Sequence, residues 1–312
     1  MINRRLIRIK VFQALFSEFG QETLNTNSIT KRVQRSMQGL HSNLLGVLSF
    51  GPQLSHFIKA EQDPKELKYK PTSEDLKSFK LFTQNSLIEA LEKNQDVKSY
   101  IERPKLDWNV EKDTMFLIYK ELKKSDNYKV AMVSQLDERS MTLFGQYIYK
   151  HLIFESVEFE QVMEDQVIYW YDEKIPILKS LEKIFEVFDK TGVISIPELS
   201  KNEFEDYEFA QELINHYVEN KPLLEDYINE YTPGWDSDRI TKIDYVLMTM
   251  ALCEFKYLPM IPVKVTLNEY IEIAKMYSTP KSSKFLNGTL DKILKDWKES
   301  NLINKKGRGL IG

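Results

Sequence analysis

Four histidines, His41, His56, His151 and His216, are scattered along the chain, and no two stand four residues apart as a helical metal site requires. The word Gly307-Arg-Gly-Leu-Ile-Gly312 matches the dinucleotide-binding pattern by letter. No strand precedes it and no helix can follow it within this sequence, so it cannot cradle a pyrophosphate. There is no P-loop and no Gly-x-Ser-x-Gly elbow. The single cysteine, Cys253, lies on an apolar run with Leu252 and Phe255 and reads as core, not nucleophile. Tyr169-Trp170-Tyr171 offers stacking faces for bases, but its acidic surroundings would repel phosphates, so a core role is the better reading. Nothing here implies catalysis, a cofactor or a metal. What stands out is charge at the start of the chain. Arg4, Arg5, Arg8 and Lys10 oppose Glu18 alone within the first twenty residues. Guanidinium groups bind phosphates or lie flat on bases. The rival reading, a merely solvated basic face, is the ordinary fate of such clusters.

The elements that must position these groups are helical. Ile9, Phe12, Phe16 and Phe19 form an inward stripe that leaves the arginines on the other side, with Gly20 ending the helix. A second helix is expected over about 28–58, carrying Leu40, Leu44, Leu45, Val47 and Leu48, and residues 59–80, with Pro64 and Pro71, read as a loop. Residues 81–200 are mostly helical. Met141, Phe144, Ile148 and Leu152 make one stripe, and Leu178, Leu181, Phe185 and Phe188, after Pro176, make another. A helix over about 206–219 is expected to stop before Pro222, with a short one following through Leu223, Leu224, Tyr227 and Ile228. After the Thr232–Trp235 break, Asp236 to Asp238 cap a helix with Ile240, Ile243, Leu247, Met250, Ala251 and Phe255 inward. Thr266-Leu-Asn-Glu269 reads as a capping box, and Thr279-Pro280 starts a last helix running to about Ser300.

Composition agrees with an all-α protein. Of 312 residues, 42% are apolar, enough for a sizeable core, and only 11 are Gly and 11 Pro, few for a turn-rich β or α/β fold. No uncharged apolar run is long enough to span a membrane, the N-terminus lacks the features of a secretory signal, and one cysteine fits a reducing cytoplasm. The net charge of −4 hides an asymmetry: residues 151–230 hold 20 acidic and 6 basic side chains, whereas the rest holds 27 and 37. Lys305, Lys306 and Arg308 make residues 301–312 a basic tail, expected to be flexible.

Several words together resemble the NusB family of transcription antitermination factors. They are Arg239-Ile-Thr-Lys-Ile-Asp244, Ala251-Leu-Cys-Glu254, Pro262-Val-Lys-Val-Thr-Leu-Asn-Glu269, Ile271-Glu-Ile-Ala-Lys275 and Ser282-Ser-Lys-Phe-Leu-Asn-Gly-Thr-Leu-Asp291. At the other end stand Arg4-Arg5-x-x-Arg8 and Gln13-Ala-Leu-Phe16. The resemblance implies a long form of the family: a NusB-like helical core from 1–20 and 205–300, interrupted by a helical insertion over 21–204, with the first helix docking back onto the C-terminal ones. It also implies a non-catalytic, cytoplasmic protein binding single-stranded boxA-type ribosomal RNA with the ribosomal protein NusE, in an antitermination complex with RNA polymerase. Self-association, which hides the RNA face in some relatives, is part of the same implication. On matching positions, Arg4, Arg5, Arg8, Gln13, Lys281, Lys284 and Phe285 are the expected RNA-binding residues, Phe285 being equally readable as core. Asp244 is the expected partner contact, Glu269 a structural cap and Gly288 a site of close helix packing. Two rival functions remain. One is a NusB-like interaction scaffold without RNA binding, favoured by the acidic middle. The other is an accessory domain of an RNA-modifying enzyme, disfavoured because the chain lacks a glycine-rich cofactor loop and a nucleophilic cysteine.

Overall fold

The computed structural model describes residues 2–21, 23–67, 70–108, 110–232 and 241–310. The helices are α1 (Arg4–Phe16), α2 (Thr26–Glu61), α3 (Pro64–Leu67), α4 (Ser73–Thr83), α5 (Ser86–Lys93), α6 (Gln95–Glu102), α7 (Lys112–Lys124) and α8 (Asp126–Val133). They continue as α9 (Glu138–Phe154), α10 (Val157–Gln166), α11 (Trp170–Thr191), α12 (Glu203–Tyr231), α13 (Lys242–Tyr257), α14 (Val263–Tyr277) and α15 (Pro280–Glu299). A short 3-10 turn, Gly307–Leu310, follows. No strand occurs among the described residues, so the fold is all-α.

The chain divides into two units. The terminal unit comprises Ile2–Met37 and Ser200–Gly312, and the middle unit Gln38–Leu199. The middle unit has its own core. Phe50 meets Trp108 edge-on at 4.9 Å, Trp108 stacks on Phe159 at 5.5 Å, and Phe159 meets Trp170 at 5.9 Å. Gly51 lies so close to Tyr149 and Ile88 that a Cβ there would collide with both, which lets the Tyr149 hydroxyl reach the Leu48 carbonyl at 2.8 Å. Trp170 is buried and Tyr171 exposed, so the aromatic run is split between core and surface.

The terminal unit is built around α13, whose residues from Val246 to Phe255 are all buried. Helix α1 packs on α12, α13 and α14. Asn3 caps it, its side chain accepting from the Leu6 amide at 2.9 Å. Leu6, Ile7, Ile9, Val11, Phe12, Ala14 and Leu15 are all buried, which covers most of the helix circumference. The expected two-faced helix is therefore wrong in detail: Phe16 is exposed, Phe19 only partly buried, and Arg8 and Lys10 are inside. Lys10 stays solvated by protein, its ammonium donating to Ser36 Oγ at 2.8 Å.

Three helix boundaries differ from the sequence expectation. Helix α12 runs straight through Pro222, and α11 begins before Pro176. An interior proline removes one backbone hydrogen bond. In α12 the buried face continues on both sides of it, through Leu213, Ile214 and Tyr217 and then Leu224 and Ile228, and this burial holds the helix together. The expected 59–80 loop contains the end of α2, all of α3 and the first two turns of α4, with Thr72 and Asp75 forming a capping box. The cap expected at Asp236 to Asp238 lies outside the described residues; α13 starts at Lys242, its Asp244 amide bonded to Thr241 Oγ1 at 3.1 Å.

Candidate functional site

The three N-terminal arginines each reach a different helix. Arg4 lies over the Phe209 ring at 4.5 Å, with its Nε 3.4 Å from Asp206, both on α12. Arg5 forms a two-pronged pair with Glu269 of α14, at 2.7 and 2.9 Å. Arg8 forms another with Glu254 of α13, at 2.8 and 2.6 Å. The first two keep 41% and 43% of their side chains exposed; Arg8 keeps 2% and Glu254 none. Glu254 also accepts from Thr266 Oγ1 at 2.7 Å and from the Tyr270 hydroxyl at 3.3 Å, which fills its remaining lone pairs. Burial disfavours charge on Arg8, but the attraction and hydrogen bonds of Glu254 outweigh it and hold the guanidinium above its ordinary range. Arg8 is thus a core residue. The expectation that it binds RNA is corrected, because its guanidinium is committed to Glu254 and only 2% of the side chain is exposed.

Contacts along α1 and α14 advance together. Arg5 meets Glu269 and, eight residues later, Gln13 donates to the Tyr277 hydroxyl at 3.1 Å, so the helices run in the same direction. Eight residues rise about 12 Å on each. Gln13 therefore stands near the end of α14, close in sequence to the start of α15. There Thr279 caps the helix, Pro280 fills its first position, and the first turn contains no acid. Lys281 and Lys284 are exposed one turn apart. Phe285 is half-buried against the core, so its ring serves packing with only part of it open.

Three other expectations are corrected. Asp244 is buried, 1% exposed, and cannot present its carboxylate to a partner on the surface. Thr266 and Glu269 do not form a capping box, because α14 begins at Val263; Thr266 serves Glu254, and Glu269 serves Arg5. Gly288 is exposed with nothing within 4 Å of where a Cβ would stand, so no helix packs against it. In the tail, Lys305 Nζ donates to the carbonyls of Glu254 at 2.8 Å and Leu258 at 2.9 Å, and the Lys306 amide to the Pro259 carbonyl at 3.0 Å. A Cβ on Gly309 would run into the Pro259 carbonyl oxygen.

A cleft of about 1070 Å³ opens beside the arginines. Its walls include Arg4, Arg5, Arg8 and Arg308, but also Glu205, Glu208, Glu212 and Glu269. Such a balance gives phosphate no net attraction inside the cleft. The electropositive part of this unit lies instead at helix starts. Helices α1, α14 and α15 carry no acid in their first turns and begin with Arg4 and Arg5, with Lys264, and with Lys281. Cations there oppose the helix dipole, at roughly 0.3–1 kcal/mol each, and an anion would relieve that cost.

Sequence reasoning missed Glu254, Asp206 and Tyr277. The signal for Glu254 was present: it is the only acid in the apolar run from Val246 to Phe255, where a charge needs a buried partner. Cys253, beside it, is buried, and burial followed by the nearby Glu254 pushes its thiol well up, away from reactivity. Among the described residues no group of three His, Cys, Asp or Glu is arranged to hold a metal, and no helix is long and apolar enough to cross a membrane.

The NusB family model matches residues 180–295, from within α11 to within α15. The transcription antitermination protein NusB of Chloroherpeton thalassium is 38% identical over 135 residues, 43% of this chain and 64% of that relative. The chain thus spans just under two thirds of that relative's length. The NusB protein of Listeria monocytogenes serotype 4b is 37% identical over 117 residues, 37% of this chain and 90% of the relative. A solved structure of T. maritima NusB is 34% identical, matching 37% of this chain and 75% of its own, with a TM-score of 0.30. The kinship rests on the sequence matches and not on that superposition: with nine tenths of the Listeria protein matched at this identity, the chain belongs to the NusB family.

Proposed function

We propose that this protein is a non-catalytic, cytoplasmic transcription antitermination factor that binds boxA-type single-stranded RNA together with NusE and offers the joint surface to RNA polymerase. Residues 1–20 and 205–300 form the RNA-binding core in this reading, and 21–204 an insertion. The observation that carries it is the pair of exposed lysines, Lys281 and Lys284, at an acid-free helix start. Phosphate is favoured there by side-chain charge and helix dipole together. Arg5 extends the surface along α14, its exposed edge available for stacking on a base while Glu269 holds its plane. Arg4 contributes in the same way over Phe209. Arg8 orients α1 through Glu254.

The test is boxA RNA binding across a salt titration, with and without NusE. Each lost phosphate contact flattens the log–log slope by about 0.7 for a single strand. Lys281→Ala and Lys284→Ala should each do so, and unchanged slopes in the double variant reject the RNA reading. A second reading, a scaffold that binds NusE without RNA, is favoured by the engagement of all three arginines with carboxylates. It predicts NusE affinity that RNA does not alter.

A further inference from the structure

The middle unit carries an acidic corner with an apolar centre. The Gln166 side-chain amide at the end of α10 donates to Glu111 Oε1 at 3.0 Å, tying that end to the start of α7. Val110, beside Glu111, is 77% exposed, and Ile168, two residues past Gln166, is 91% exposed. Tyr171 and Ile175 stand one turn apart on α11, 74% and 49% exposed. Single exposed apolar residues are ordinary, but a tethered group of them marks an interaction surface.

Carboxylates predominate around this group, and of the nearby cations Lys112 is held by Glu61 and Lys174 by Glu160, while Lys179 is exposed. Residues 156–173 contain six carboxylates and no Lys or Arg. Glu160 is paired with Lys174, and Glu173 is buried and accepts from Asn43. Glu164 and Asp165 are exposed and have no ion-pair partner among the described residues. Phosphate would be repelled here. A second copy presenting the same face would bring two predominantly acidic surfaces together. A cationic segment is attracted, and the Tyr171 ring can receive one of its cations on the face while Ile168 meets an apolar side chain.

We propose that this corner, Val110, Ile168, Tyr171 and Ile175 framed by Glu164 and Asp165, docks a Lys/Arg-rich segment of another protein that carries an apolar anchor. The site lies outside the RNA surface and does not depend on it.

The full chain can be titrated, by fluorescence anisotropy, into three labelled peptides, each about four helical turns long. One alternates Arg and Leu faces, one replaces Arg with Glu, and one replaces Leu with Ser. The Arg/Leu peptide should bind, the Glu/Leu peptide should not, and the Arg/Ser peptide should bind about tenfold more weakly, as loss of a central anchor does. Ile168→Ser with Tyr171→Ser should weaken Arg/Leu binding about tenfold, and Glu164→Lys with Asp165→Lys should weaken it and flatten its salt dependence. Val130→Ser with Val133→Ser, exposed apolar positions on α8, should change nothing. No binding, equal binding by wild type and corner variants, or equal loss in the α8 control overturns the proposal. So does dimerisation that Ile168→Ser abolishes, which would make the occupant a second copy.

Discussion

Arg8→Met removes one member of a pair that is 2% and 0% exposed. Leaving a buried partner charged and unmatched costs about 3–5 kcal/mol. Glu254 would keep the Thr266 and Tyr270 hydroxyls as donors, which places the loss near the lower end, about 3 kcal/mol. With a urea m-value of about 1–3 kcal/mol/M, the unfolding midpoint should fall by about 1–3 M. Pairing the change with Glu254→Met should recover much of the loss, because two apolar side chains leave no lone charge. Arg5→Ala breaks a pair that is 43% and 20% exposed, and should cost under about 1 kcal/mol. Urea melts followed by far-UV circular dichroism separate these cases, and the same variants are then tested for boxA RNA at a temperature where all are folded. Arg8→Met should bind RNA as wild type does. A variant with a wild-type midpoint and lost RNA affinity would refute the reasoning, since Arg8 would then be a contact residue and not a fastener.

Gly288→Ala should raise stability by about 0.8–1 kcal/mol, because the glycine sits exposed inside α15 with open space around it. A destabilised variant in thermal melts would mean that something packs there. Burial draws Lys305 down to about 8 from its ordinary 10.5, against an opposing pull from Glu254. Between about pH 8 and 10 the unfolded chain therefore binds more protons than the folded one, and this group adds stability as pH rises; below 8 both forms are charged and it adds no slope. The difference between wild type and Lys305→Met in melts across that range should show the rise, and parallel curves would contradict it.

The helical class was readable because few breakers and long apolar periods leave no other way to bury so much surface. The start of α15 was readable for a local reason: Thr279 and Pro280 fix the cap within a few residues. Failures occurred where tertiary burial overrides a local rule. Pro222 argues for a stop, yet apolar residues on both sides share one buried face. Thr266 and Glu269 have the spacing of a cap, yet their partners, Glu254 and Arg5, lie on other helices. Arg8 has the same residue type as Arg4 and Arg5, and only position on the helix separates it. From Arg4 to Arg8 the chain turns through one full helical turn and a little more, which aims three like side chains at α12, α14 and α13. A basic triplet therefore has no single meaning in sequence; what decides is how many neighbours surround its helix.

The same fact bears on how a large insertion is tolerated. Every buried residue of the terminal unit's main core comes from residues 7–37 or 209–297. The middle unit supplies none of that set and builds a core of its own, in which Trp108 Nε1 donates to the Gly46 carbonyl at 3.0 Å. The cost of closing a loop grows only with the logarithm of its length, about 0.6 kcal/mol per doubling. A folded segment between α1 and α12 therefore imposes little on the terminal core, provided α1 is held firmly in its place. One buried ion pair and two half-exposed ones, each to a different helix, do that: they set register and direction as well as attraction. On this argument the arginine cluster is first a fastener for a helix that arrives long before its partners in the chain, and whatever anion it meets is met by the edges that fastening leaves exposed.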